Sequence, residues 1–415
     1  MTRRDVRVSR WWFVAVAALA MGTAGIYQFG WSSIRLALGA RTGAPETALG
    51  TVFTLFVVFQ TVAQFPAGWV RDRYGPRIPL LAGAGCLALG FAGVGLARSL
   101  PAAYAAYAVG GVGVGVAYTI AVNTAVKWFT DRRGLATGIV TMAYSGVSFL
   151  VIPAIRLGVD SAFETTLFAL AGATGAAALL AAVVLRDPDG ATATDGGESA
   201  GVDDDHTTGD ESTGIDASDE RSHTWREAIR TWQFWLLYGV FVVVNGVGLM
   251  VIGKVVSYAS ALSLPAFAGT ASASMVALAD AGGVFVVGGL SDRFGRRRTA
   301  AASLVLCGIA LAGAVAFGAR GVPLGFVALI AAAAFFRSPP FSIFPSIVGE
   351  FYGRAHSSEN YAALYTAKLF GGVFGGTVAS ALVVSIGWSQ SFALGAGLIA
   401  LAGVAVTFLR PVSTD

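Results

Sequence analysis

Twelve apolar stretches, each roughly 20 residues long and able to cross a hydrocarbon core of about 30 Å, recur along nearly the whole chain. In lipid such segments can satisfy every backbone donor and acceptor internally only by coiling into helices. The expected spans are 12–38, 47–70, 78–97, 102–126, 135–157 and 165–185, then 233–257, 267–290, 299–317, 322–348, 362–386 and 391–409. Composition agrees, with 55% of the 415 residues hydrophobic and 13% charged, against about 25% charged in a soluble domain. The expected class is an all-α membrane protein with twelve transmembrane helices and the lipid bilayer as its surroundings.

Charge placement sets the orientation. Arg3, Arg4, Arg7 and Arg10 precede the first stretch, an arrangement that resembles a signal peptide, but a signal's apolar region is only about 7–15 residues long. The first stretch is therefore expected to remain as a helix. With the N-terminus inside, that side holds Arg71, Arg73, Arg77, Lys127, Arg132, Arg133, Arg293, Arg296, Arg297, Arg298, Arg354 and Arg410. The opposite side holds Arg35, Arg41, Arg98, Arg156, Lys254 and Arg320. The asymmetry follows the positive-inside rule and puts both termini in the cytoplasm of a multi-pass cell (plasma) membrane protein. The formal charge of +4 is thus spread over short loops instead of one polar face, which argues against a nucleic-acid partner.

One long polar stretch, 187–220, contains no Lys or Arg and half of the 24 acids, among them Asp203, Asp204 and Asp205. It cannot bury enough apolar surface to order itself. The expected organisation is a six-helix bundle over 1–186, an acidic disordered cytoplasmic linker over 187–224 and a second six-helix bundle over 225–415. The start of the second, 225–232, reads as a short helix lying on the membrane surface.

The halves repeat. Gly68, Asp72, Arg73, Gly75 and Arg77 recur as Gly288, Asp292, Arg293, Gly295 and Arg297, a displacement of 220 residues. Both copies follow the second span of a half, so two pseudo-symmetric bundles related by an axis along the membrane normal are expected. Each copy places an acid and arginines at a helix end beside a glycine that permits a tight turn. Such a cluster can tie a helix to a neighbour in one conformation and release it in another; the plainer alternative is an ordinary basic loop. Gly110, Gly111, Gly113 and Gly115, like Gly371, Gly372, Gly375 and Gly376, let helix backbones approach closely.

A charge at the bilayer centre costs about 2.5–3.5 kcal/mol even on the lenient insertion scale, so ionisable residues within spans are functional candidates. Asp280, Arg337 and Lys368 all fall close to mid-depth at about 1.5 Å per residue. Their formal sum is +1, which suits one carboxylate better than a dianion. Lys368 offers a charge and three donors; its structural alternative is a permanent pair with Asp280. Tyr361 and Tyr365 share its helical face, either as cavity hydroxyls or as packing. Arg337 precedes Pro339 and Pro340, which are expected to break the tenth helix; its alternative is to snorkel or to pair with an acid. Asp280 reads either as a proton carrier or as a fixed ion-pair partner. Arg35 and Lys254 lie toward the outer ends of their spans, where they draw anions inward by focusing or anchor a helix at the interface, the second role being preferred for Lys254. Tyr118, Asn123 and Tyr144 are polar positions in the central helices of the first half, and Tyr118 is taken as a candidate site residue.

Other chemistries find little support. Cys86 and Cys307 lie inside apolar spans with neither disulfide nor metal spacing and read as packing residues. His206, His223 and His356 sit in the linker or loops, with no nucleophile and base beside them. No GxxxxGK[ST] loop is present, so no nucleotide drives the protein. Neither a metal nor a cofactor is expected, and an enzyme is disfavoured.

The repeated loop resembles the signature of the major facilitator superfamily. Three passages are similar to one group within it. YTIAVNTAVKWFTDRRGLATG at 118–138 and NYAALYTAK at 360–368 resemble the oxalate:formate antiporter family and its monocarboxylate-transporter relatives. FGWSSIR at 29–35 is similar to the first helix of monocarboxylate transporters, where a cation stands at the position of Arg35. In these families the eighth helix carries a substrate-binding arginine, in some members one turn after an aspartate. Asp280 matches the aspartate, but Val284 stands where the arginine belongs, and Arg337 is a candidate to compensate. The resemblance implies the major facilitator fold and a small carboxylate moved by proton symport or anion exchange, and the net charge of the three mid-depth residues favours a monocarboxylate, with protons as the possible coupling ion. The alternatives are a drug or sugar carrier of the same fold and a non-transporting membrane sensor.

Overall fold

The computed structural model describes residues 10–129, 133–187, 223–353 and 356–411, apart from the side chains at 126, 133, 134, 288, 289, 292, 357 and 358. Apolar runs whose backbone has no partner in lipid but itself form helix throughout. The first half comprises α1 (Arg10–Phe29), α2 (Trp31–Thr42), α3 (Glu46–Tyr74), α4 (Arg77–Leu96), α5 (Leu100–Trp128), α6 (Arg133–Ser161) and α7 (Phe163–Val184). The second comprises α8 (Trp225–Ala228), α9 (Trp232–Ala261), α10 (Ala266–Phe294), α11 (Arg296–Ala319), α12 (Pro323–Arg337) and α13 (Pro340–Tyr352). It continues with α14 (Ser357–Tyr365), α15 (Ala367–Val373), a π-helical turn (Phe374–Val378), α16 (Ala379–Ile386) and α17 (Trp388–Val406). Twelve spans are long and apolar enough to cross a membrane, and no strand occurs among the described residues.

Three spans are not continuous. The first, expected as one helix over 12–38, divides into α1 and α2 at Gly30. The tenth divides between Arg337 and Pro340, as its two prolines require, since neither can donate a backbone hydrogen bond. The eleventh is the most irregular and contains the π turn.

Within the first half, α3 packs on α5, α4 on α5 and α7, and α1 on α6; within the second, α11 packs on α12 and α17, α10 on α12, and α9 on α15 and α17. The two six-helix bundles meet where α3 lies along α15, the π turn and α16, where α6 meets α10, and where α2 meets α9. Small residues set the approach: a Cβ added to Gly376 would lie 2.6 Å from the Gly50 carbonyl oxygen, so a side chain there must push the bundles apart. Arg10 and the end of α17 share the terminus side, and Thr42, Glu46, Ala261 and Ile386 mark the far side.

Residues 188–222 of the expected acidic linker lie outside the described residues. The described residues at its two ends make local contacts. Asp187 accepts from Arg71 Nη2 at 3.0 Å and from Lys127 Nζ at 3.2 Å. Thr224 and Glu227 form a reciprocal cap at the start of α8, which satisfies otherwise orphaned backbone donors. The surface helix expected over 225–232 amounts to the single turn of α8 before α9 begins.

Candidate functional site

The three charges expected at mid-depth come together within the second bundle. Arg337 closes α12 where the proline pair interrupts the helix, and it is buried. Its Nη2 forms an ion pair with Asp280 Oδ1 on α10. Gly248 of α9 provides the recess: a Cβ there would lie 2.5 Å from Arg337 Nη1 and 2.7 Å from Cζ. The guanidinium also sits over the Phe341 ring, 5.4 Å from its centroid.

Lys368, 5% exposed, projects from α15 with its Nζ 5.8 Å from the Tyr365 ring centroid. It lies within electrostatic reach of both Arg337 and Asp280. The permanent Lys368–Asp280 pair weighed from sequence does not form, because the carboxylate is taken by Arg337. Among the described residues Lys368 has no acid within ion-pair distance. A desolvated cation without a counter-charge is costly in a helix bundle, and an anion arriving beside it would remove that cost.

The first bundle faces these charges with phenols and amides. Tyr144 on α6 donates to Gln28 Oε1 at 3.1 Å and accepts from Gln60 Nε2 at 2.9 Å. Tyr118 on α5 stands edge-on to Tyr144 with centroids 5.7 Å apart, and meets Tyr365 across the interface. Tyr361 and Tyr365 are neighbours at 5.9 Å. Gln60 Oε1 and Gln64 Nε2 are buried without a hydrogen-bond partner among the described residues, leaving one acceptor and one donor for a solute or water. Thus Lys368, Arg337, Asp280, Tyr365, Tyr361 and Tyr118 are brought to one place. Gln28 and Gln60 were missed by sequence reasoning, although uncharged amides in the middle of apolar spans were the available signal. Asn123 turns to its own helix, donating to the Thr119 carbonyl at 2.9 Å.

Arg35 does not join this group. It lies in a second cluster on the far side, fully buried, with Nη2 2.5 Å from Glu46 Oε2. Lys254, read from sequence as an interfacial anchor, is 2% exposed. Its Nζ donates to Glu46 Oε1 at 2.9 Å and to Ser380 Oγ at 2.5 Å, because a buried ammonium needs acceptors and a counter-charge. Glu46, at the first position of α3, thereby joins cations from both bundles. It was not singled out in the sequence, though two buried cations on one side imply an acid nearby.

The repeated loops sit at the terminus side. Gly75 and Gly295 have φ of 75° and 87°, a region that glycine enters without a steric penalty, so each supports the expected turn. Gly68 lies where a Cβ would touch Thr119 Cγ2 at 3.7 Å. Asp72 Oδ1 is 3.5 Å from Arg71 Nη1 and 3.8 Å from Lys127 Nζ, linking the end of α3 to α5. Arg73 stacks over Trp69 at 4.2 Å, and Arg77 begins α4. In the second copy Arg297 donates to the Leu409 carbonyl and Arg293 lies in the last turn of α10; the surroundings of Gly288 and the side chain of Asp292 lie outside the description.

Comparisons with known proteins agree with this architecture. The oxalate:formate antiporter of Oxalobacter formigenes is 31% identical over 97% of this chain and 92% of its own length. The MFS-type transporter YhjX of Escherichia coli is 26% identical over 88% of this chain and 86% of its own length. Among solved structures, a D-xylose-proton symporter superposes with a TM-score of 0.72 at 14% identity, covering 97% of this chain and 99% of that one; at that identity it speaks for the fold alone. The family profile described as Major Facilitator Superfamily matches residues 13–279 and 255–415. With its repeated loops and paired six-helix bundles, the chain belongs to the major facilitator superfamily of membrane transporters.

Proposed function

We propose that the protein is a secondary transporter of a small organic anion, a monocarboxylate, working by alternating access with proton symport or anion exchange. The observation that carries this reading is the central charge balance: Asp280 offsets Arg337, while Lys368 is buried and left for the cargo. One unmatched cation complements one carboxylate. The phenols and amides opposite supply the neutral hydrogen bonds that orient a small anion.

The antiporter relative is named for two carboxylates, oxalate and formate, which supports the cargo class. Val284, where the resemblance places an arginine, lies beside α13, whose Ser342 Oγ donates to the Val284 carbonyl at 3.3 Å. Arg337, reaching Asp280 from the end of α12, thus supplies a guanidinium in the neighbourhood of the missing one. Asp280 is the group we assign to proton coupling: cargo that draws on Arg337 would loosen the ion pair and make the carboxylate available to a proton.

The Glu46 cluster joins the bundles on the far side, so the arrangement described is closed there. By the positive-inside rule the terminus side faces the cytoplasm, with both termini on the cytoplasmic side of the plasma membrane. Counterflow in proteoliposomes tests the assignment of Lys368. Formate uptake should saturate with the native protein, and Lys368→Ala should raise the half-saturation constant by about tenfold or more. An unchanged constant in the Ala variant would remove Lys368 from the site.

A further inference from the structure

The π turn in the eleventh span surrounds a side chain from the other bundle. In a π turn the N–H of one residue faces the carbonyl five positions earlier, as the Ala379 N–H faces the Phe374 carbonyl, and Thr377 stands at that spacing from Gly372. Here Thr377 N–H donates to Thr54 Oγ1 at 3.0 Å, and Thr54 Oγ1 donates to the Gly372 carbonyl at 3.2 Å. One hydroxyl from α3 is therefore inserted between the donor and the acceptor. Thr377 Oγ1 lies 3.0 Å from Thr54 Oγ1 and 3.3 Å from Thr51 Oγ1, so its side chain joins the same contact.

The approach depends on glycine. A Cβ on Gly376 would lie 2.9 Å from the Thr54 amide nitrogen, and one on Gly372 would lie 2.6 Å from Val57 Cγ1. Side chains inserted into a helix ladder are a recognised cause of local distortion. Without the hydroxyl, the Thr377 N–H would lose the acceptor it has here, in a medium that offers no water. The low-energy response is regular helix, which removes the extra residue of the turn. That change turns one flank against the other by about 100° and shifts it by about 1.5 Å. The far flank is held by Ser380, which binds Lys254, so the flank that turns is α15 with Lys368.

We propose that Thr54 is a positioning residue: by holding the π turn open it sets the rotation at which Lys368 faces the central site. The contact crosses the bundle interface, so this setting lasts only while the far side is closed. Separation of α3 from the eleventh span withdraws the hydroxyl and releases Lys368 from its cargo-facing orientation. Closure and binding are thereby coupled through one threonine. The proposal rests on Lys368 meeting the cargo, as assigned above.

The test reads the orientation of position 368 separately from transport. With Cys86 and Cys307 replaced by serine, Lys368→Cys is labelled with a small methanethiosulfonate reagent in the native, Thr54→Ser and Thr54→Val backgrounds. Thr54→Ser keeps the hydroxyl and should leave the labelling rate within about twofold, whereas Thr54→Val should change it by about tenfold. Size-exclusion profiles establish that each variant is folded. In the lysine-containing protein, Thr54→Val should raise the half-saturation constant for formate while Thr54→Ser restores it. Equal labelling in all three backgrounds, or a serine variant as impaired as the valine variant, overturns the proposal. Altered labelling in Thr54→Val, with formate uptake indifferent to Lys368→Ala, would instead retain the Thr54 device and overturn the cargo assignment.

Discussion

Replacing Glu46 by glutamine should open the far side. The carboxylate is the shared counter-charge of Arg35, which is fully buried, and of Lys254, 2% exposed, while its own side chain is 20% exposed. Glutamine keeps the size and one acceptor, but the cluster's formal charge rises from +1 to +2, with both cations desolvated. Breaking a buried pair by removing one partner costs about 3–5 kcal/mol. At about 1.4 kcal/mol per tenfold, that is a shift of about a hundredfold or more against the closed arrangement. Separation of the bundles hydrates both cations and relieves the cost, so the penalty falls on one conformation. Spin labels on Ala162→Cys and Ala261→Cys, at the far ends of the first and second bundles, would report it by double electron–electron resonance. The Glu46→Gln distribution should move to longer distances, and adding Lys254→Met should return it toward the native one by restoring a charge of +1. An unchanged distribution in the single variant would show that the cluster does not hold the bundles together.

Two further substitutions probe the central site. Gly248→Ala places a methyl group against the Arg337 guanidinium, 2.5 Å from Nη1, and should weaken carboxylate uptake by about tenfold while the protein remains folded; native kinetics would mean the recess is not needed. Asp280→Asn releases Arg337 and raises the site's formal charge from +1 to +2. It should abolish acceleration of uptake by an imposed pH gradient and improve competition by oxalate relative to formate by about tenfold. Full proton-coupled uptake by this variant would remove Asp280 as the proton carrier.

The architecture was legible because its signals are repeated and local. Apolar runs of membrane-spanning length, basic loops on alternate sides and a ten-residue motif copied at a fixed displacement each point to paired bundles without knowledge of any contact. Asp280, Arg337 and Lys368 were legible for an energetic reason, since charge within an apolar span is too costly to be incidental. Their pairing was not, because spacing along separate helices does not say which cation takes the carboxylate. Glu46 escaped notice at a helix start, where an acid usually needs no further explanation. Lys254 was misread for the same reason: its depth in the sequence resembles an interfacial position, and only Glu46 and Ser380 from other helices make its burial tolerable. The π turn leaves no local trace at all. Gly375 and Gly376 suggest close packing, but the hydroxyl that occupies the turn belongs to Thr54, more than three hundred residues away along the chain.

Selectivity in counterflow measures the charge balance most directly. Proteoliposomes preloaded with formate should accumulate labelled formate, lactate or pyruvate saturably, and each should outcompete oxalate. Preference for oxalate, or no saturable movement of any carboxylate, would contradict a central site that carries one unmatched positive charge.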